Sequence, residues 1–148
     1  MNWTAISAVS GLVQSVVVVA SLWYVIVQLR QNTKAMIASS FQEILEADIG
    51  IISDYMQQGV DPHFIGDDIA LTPEAERMFL WQVVKLIKIR EYAWHQFRTG
   101  TLDGESWETL TAALPTIFAT RRARAVLDFY TGNQDFMLFM RKQLADLP

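Results

Sequence analysis

Cysteine is absent from the 148-residue chain. That excludes disulfides, thiolate nucleophiles and thiolate-ligated metals or clusters. Charge is missing too, but only locally: no Asp, Glu, Lys or Arg lies between Trp3 and Leu29. An excess of basic residues is also lacking. The 12 Lys and Arg are outnumbered by 16 Asp and Glu, for a net charge of −4. Binding nucleic acid requires a concentrated basic surface, so this balance argues against such a partner. Two-residue alternation of apolar and polar side chains is absent over any useful length, which argues against β-structure.

What is present divides in two. Of the first 29 residues 20 are apolar, against fewer than half of the other 119. The first part reads as a membrane anchor and the second as a domain of ordinary composition. Residues 1–32 are assigned to the anchor and juxtamembrane segment, and 33–148 to a helical domain. Residues 5–27 make a helix of about 34 Å, against roughly 30 Å of bilayer hydrocarbon. Trp3 at one end and Trp23 and Tyr24 near the other suit the aromatic belts of a membrane, with Arg30 and Lys34 just beyond. A cleaved signal peptide fits less well, because the apolar run is long and no basic residue precedes it. The positive-inside tendency then places the amino terminus outside and the domain in the cytoplasm.

Small and polar residues follow a seam along the span. Ser7, Gln14, Ser21 and Gln28 repeat every seven residues, with Gly11, Val18 and Val25 between them. Seven is the period of a left-handed helix pair. Ser7, Gly11 and Ser15 add a small-xxx-small row that permits close backbone approach. Gln14 facing lipid would be costly, and an amide on a partner helix relieves that cost by about 1 kcal/mol. The seam therefore predicts self-association or docking against another membrane helix.

Beyond the span, Ile37, Phe41, Ile44, Leu45, Ile52, Tyr55 and Met56 recur at helical spacing, ending at Gly59. This helix either continues the span or bends from it near Asn32-Thr33. Residues 60–70 read as a loop, with Asp61-Pro62, Gly66 and Asp67-Asp68 supplying turn chemistry. Thr72-Pro73-Glu74 starts a helix that Gly100 stops. Its apolar residues, among them Phe79, Trp81, Val83, Leu86, Ile87 and Trp94, cover more than half its circumference, as in a central bundle helix. Asp103 caps the next, which Pro115 bends after Ala113. Thr120 opens another, and a last one after Asn133 turns Phe136, Phe139, Met140 and Leu144 inward. The predicted fold is all-α: a transmembrane helix followed by an antiparallel bundle of about five helices.

Candidate chemistry is sparse. Glu91 and His95 share a helix face and could hold a metal, yet a site needs three or four ligands; an intrahelical hydrogen bond is the simpler reading. Asp61, His63, Asp67 and Asp68 crowd one loop without the alternate-position acids of a calcium loop, and read as a solvated turn. Arg121, Arg122 and Arg124 are too few for a lipid-binding patch and read as a solvated face. Trp81, Trp94 and Trp107 fit a core. No catalytic constellation, cofactor site or metal site is predicted, and the chain is not read as an enzyme.

Three stretches carry a resemblance: Tyr24-Val25-Ile26-Val27-Gln28-Leu29-Arg30-Gln31-Asn32-Thr33-Lys34-Ala35, then Leu71-Thr72-Pro73-Glu74, then Glu91, Tyr92, Gln96, Gly100, Leu102-Asp103 and Trp107. In these the chain resembles a group of uncharacterised bacterial proteins with one amino-terminal span and a helical domain; the likeness fades after Leu114. The resemblance implies membrane placement and helical content only, and transfers no catalytic residue; the expected location is the bacterial inner membrane. The expectation is a single-pass structural or interaction protein that self-associates among membrane lipid. The alternative is an accessory subunit of a larger membrane complex, respiratory or light-harvesting.

Overall fold

A computed structural model describes residues 3–145, and their side chains apart from those of residues 3–9 and 12. The described residues are all-helical. The elements are α1 (Trp3–Gln58), α2 (Pro73–Thr99), α3 (Gly104–Ala112), the single turn α4 (Leu114–Ile117), α5 (Arg121–Phe129) and α6 (Gln134–Gln143). The backbone stays helical through Asn32-Thr33. By compactness the chain forms two units, one up to Met36 and the other from Ile37 onward. The first unit is bare helix. Its side chains from Val13 to Lys34 are all exposed, and the helix is long and apolar enough to cross a membrane.

In the second unit, local chemistry sets each boundary. Gly59 ends α1 with a left-handed φ of 68°, a conformation that favours glycine. Thr72 caps α2 by accepting from the Ala75 amide, with Pro73 behind it. At the other end Gly100, φ 77°, returns its N–H to Gln96 and Phe97. Asp103 accepts from Ser106 and Thr120 from Ala123, opening α3 and α5. Asn133 accepts from Asp135 and Phe136 to open α6. The helix containing Pro115 breaks at Ala113, giving α3 and α4, because the proline ring clashes with the turn before it.

The core draws on every helix. It holds Ile44, Ile51 and Tyr55 from α1, and Phe79, Val83, Leu86, Ile87 and Trp94 from α2. Trp107 and Leu110, Leu114 and Ile117, Val126 and Leu127, and Phe136 and Met140 come from the helices that follow. Helix α2 packs against α3 and α5. It also meets α1 through polar pairs: Tyr92 with Glu43, Arg90 with Asp48, Lys85 with Asp54 and Gln82 with Gln58. The partner numbers rise along α1 as they fall along α2, so these two helices run in opposite directions. Aromatic rings join α2, α3 and α6. Phe97 stacks on Trp107 at 5.4 Å and 7°, and Trp107 meets Phe139 at 5.3 Å.

One expectation about the core needs correction. Trp81 is 66% exposed. It sits on the side of α2 away from Val83 and Leu86, in a solvent-open hollow flanked by Asp54 and Gln58 of α1. On α1 the buried stripe is Ile44, Ile51 and Tyr55, whereas Leu45, Ile52 and Met56 face outward. A helix packed on one side can bury only a limited arc, and α1 carries apolar residues beyond that arc.

Candidate functional site

The seam residues lie on an exposed helix, and several of their polar groups are already satisfied within it. Ser15 donates to the Gly11 carbonyl at 2.9 Å and Ser21 to that of Val17 at 2.8 Å. Such back-bonding lets a hydroxyl sit in an apolar medium at little cost. The Gln28 amide donates to the Tyr24 hydroxyl at 2.6 Å, tying the last seam residue to the Trp23-Tyr24 pair. Among the described residues no hydrogen bond engages the side chain of Gln14. Gly11 is open: a Cβ added there meets nothing within 4 Å. Val18, Val25, Trp23, Tyr24, Arg30 and Lys34 are all exposed. The side chains of Trp3 and Ser7 lie outside the described residues.

The second unit holds three polar clusters that residue spacing did not reveal. The largest centres on Glu91. Its Oε1 accepts from the Asn133 amide at 2.5 Å, and its Oε2 from the Tyr130 hydroxyl at 2.6 Å and the Lys88 ammonium at 3.2 Å. Burial opposes the charge, but the bonds from Tyr130, Asn133 and Lys88 outweigh it and hold the carboxyl below its usual range. Burial, and then the bond to Glu91, pushes the Tyr130 hydroxyl up to about 12. Gly132 lies against this cluster, with no room for a side chain. A Cβ there would lie 2.5 Å from the Tyr130 ring and 2.9 Å from Glu91.

His95 takes no part in this cluster. It is exposed, with its ring set edge-on against Trp94 at 5.1 Å. The intrahelical bond expected between Glu91 and His95 does not form, because the Glu91 carboxylate is turned to Tyr130 and to the loop before α6.

The second cluster is Arg90, 5% exposed, whose Nη1 bridges both oxygens of Asp48 at 2.8 and 2.9 Å. The third joins the 60–70 loop to α5. Asp67 accepts from the Arg121 and Arg122 amides at 2.8 and 3.0 Å, and these bonds hold its carboxyl below the usual range. Arg122 returns its guanidinium to the Ile69 carbonyl at 2.9 Å, and Arg124 reaches that of Phe118 at 3.3 Å. The loop is therefore docked rather than a solvated turn, and two of the three arginines are half-buried rather than a solvated face. Asp61 stays local, accepting from the His63 amide and ring.

The Glu91 and Asp67 clusters fix helix against loop and the Arg90–Asp48 pair fixes helix against helix, with Arg90 Nε left buried without a partner. Among the described residues no three His, Asp or Glu side chains come together as metal ligands would. A signal for two clusters did exist: Arg90 and Glu91 continue the buried spacing of Val83, Leu86 and Ile87, and charge at a buried position demands a partner. Comparisons with protein families, with curated proteins and with solved structures found no match.

Proposed function

We propose that the chain is a single-pass protein of the bacterial inner membrane that self-associates through its span and presents an antiparallel helical bundle to the cytoplasm. One observation carries this: an apolar helix segment, exposed from Val13 to Lys34, belongs to a stretch with small and polar residues at a seven-residue repeat. Arg30 and Lys34 support a cytoplasmic domain. Cross-linking in native-like membranes tests the seam. Gly11→Ile and Gln14→Leu should each lower the oligomer order. The first adds bulk where the chain itself leaves space, so its effect is on a partner. Unchanged assembly in both variants removes the seam from the argument.

A second reading, an accessory subunit of a larger membrane complex, draws on an apolar face beside the seam. Val16, Val19, Ala20 and Trp23 line an apolar hollow there with Ser15. The composition and mass of the gently solubilised particle separate the two readings. Copies of this chain alone favour the first, and stoichiometric foreign subunits the second.

A further inference from the structure

The domain half of α1 carries an apolar stripe that its own fold leaves uncovered. Leu45, Ile49, Ile52 and Met56 are 41, 61, 55 and 82% exposed. Their spacing of four, three and four is that of the inward positions of a coiled coil. The stripe lies roughly a third of the way around the helix from the buried residues Ile44, Ile51 and Tyr55. Counted in sevens along the sequence, Ile49 and Met56 belong to the same class as Gln14, Ser21 and Gln28.

We propose that this stripe pairs, in parallel, with the same stripe of a second copy of the chain. The inference rests on the membrane-anchored self-association proposed above and names the domain surface that takes part in it.

Charge selects the occupant. Between Lys34 and Gln58 the helix has no basic residue, while Glu43, Glu46, Asp48 and Asp54 are acidic. An amphipathic helix that lies on a lipid surface flanks its apolar face with Lys and Arg, so anionic headgroups are a poor match. A parallel self-pair creates no such conflict. The flanking positions that come opposite each other are Glu46 with Phe41 and Asp48 with Ser53, and no two like charges meet. The carboxylate of Asp48 is in any case held by Arg90.

Area explains why the pairing belongs to an anchored protein. Four partly exposed side chains offer a patch of a few hundred Å². Two such patches fall short of the roughly 1,200 Å² at which specific interfaces begin. Copies already held side by side and in the same orientation meet at a high effective concentration, and a small apolar contact then suffices. Beside the stripe, Ile52, Met56, Phe64 and Ile65 line a groove of about 760 Å³ that can receive the partner's larger side chains.

The natural lack of cysteine makes the test direct. Single cysteines are placed at Leu45, Ile49, Ile52 and Met56, and at the exposed off-stripe positions Glu43 and Gln57, in the full chain in membranes. A disulfide forms only where Cα atoms come within about 7 Å. The stripe positions should form disulfide-linked dimers at least about fivefold faster than Glu43→Cys and Gln57→Cys. Gly11→Cys and Gln14→Cys report on the span separately. Linking in the span with no preference for the stripe overturns this inference and leaves the anchor reading standing. Linking along the stripe without the span supports the inference and removes the seam. Equal linking at on-stripe and off-stripe positions, or adducts to a different protein from the stripe, overturns it.

Discussion

Glu91→Gln keeps the shape of the side chain and removes its charge, so it isolates what the carboxylate contributes. In the folded domain that carboxylate accepts three bonds, from the Asn133 amide, the Tyr130 hydroxyl and the Lys88 ammonium. Hydrogen bonds to a charged group contribute about 1.5–3 kcal/mol each. The amide keeps one acceptor for Asn133, and the Tyr130 hydroxyl can turn to accept from the new NH₂. Lys88 is largely exposed and adds little. The net loss is then about 2 kcal/mol. For a domain of this size that lowers the melting temperature by roughly 8 °C.

The pH dependence follows from the lowered carboxyl. Folding holds Glu91 below its ordinary value of 4.5, so its contribution is complete above that value and disappears as pH falls through the folded value. Tryptophan-fluorescence melts of the full chain in detergent should show the whole gap between wild type and variant at pH 7. At pH 3.5 the gap should narrow. A loss under about 0.5 kcal/mol at pH 7, the range of ordinary surface changes, would show that the carboxylate contributes little. So would a gap that is the same at both pH values.

Asp48→Ala leaves the guanidinium of Arg90 buried without its counter-charge and should cost about 3 kcal/mol in urea unfolding, near the low end for a broken buried pair because Asp48 is partly exposed. The double replacement Asp48→Leu with Arg90→Met should recover most of that loss; a double variant as unstable as the single one contradicts the account. Gly132→Ala forces its methyl against the Tyr130 ring and Glu91 and should destabilise by about 1–3 kcal/mol. Hydrogen exchange at the start of α6 checks it, and protection equal to wild type there would show that the turn yields.

Local signals were legible because they act over a few residues. Thr72-Pro73, Gly100, Asp103, Pro115, Thr120 and Asn133 each mark a helix boundary where the structure has one. A hydroxyl or carboxylate finds the amide three residues on whatever the rest of the chain does. Spacing failed where the partner came from elsewhere. Trp81 has the same local pattern as Trp94, but only Trp94 meets Phe136. Asp67 looks like any turn acid until α5 brings the Arg121 and Arg122 amides to it. Glu91 and His95 are correctly placed on neighbouring turns, yet the bond goes to Tyr130 and Asn133, about 40 residues away in the chain.

Composition and periodicity by themselves determined the all-helical class, most helix ends, and an uncharged apolar segment long enough to cross a bilayer. These depend on backbone preference and on the side chain's affinity for water, which each short stretch carries with it. Tertiary structure alone decided which of two apolar stripes on α1 enters the core and where each buried charge finds its counterpart. Those outcomes depend on which surfaces reach one another once the chain has folded back on itself.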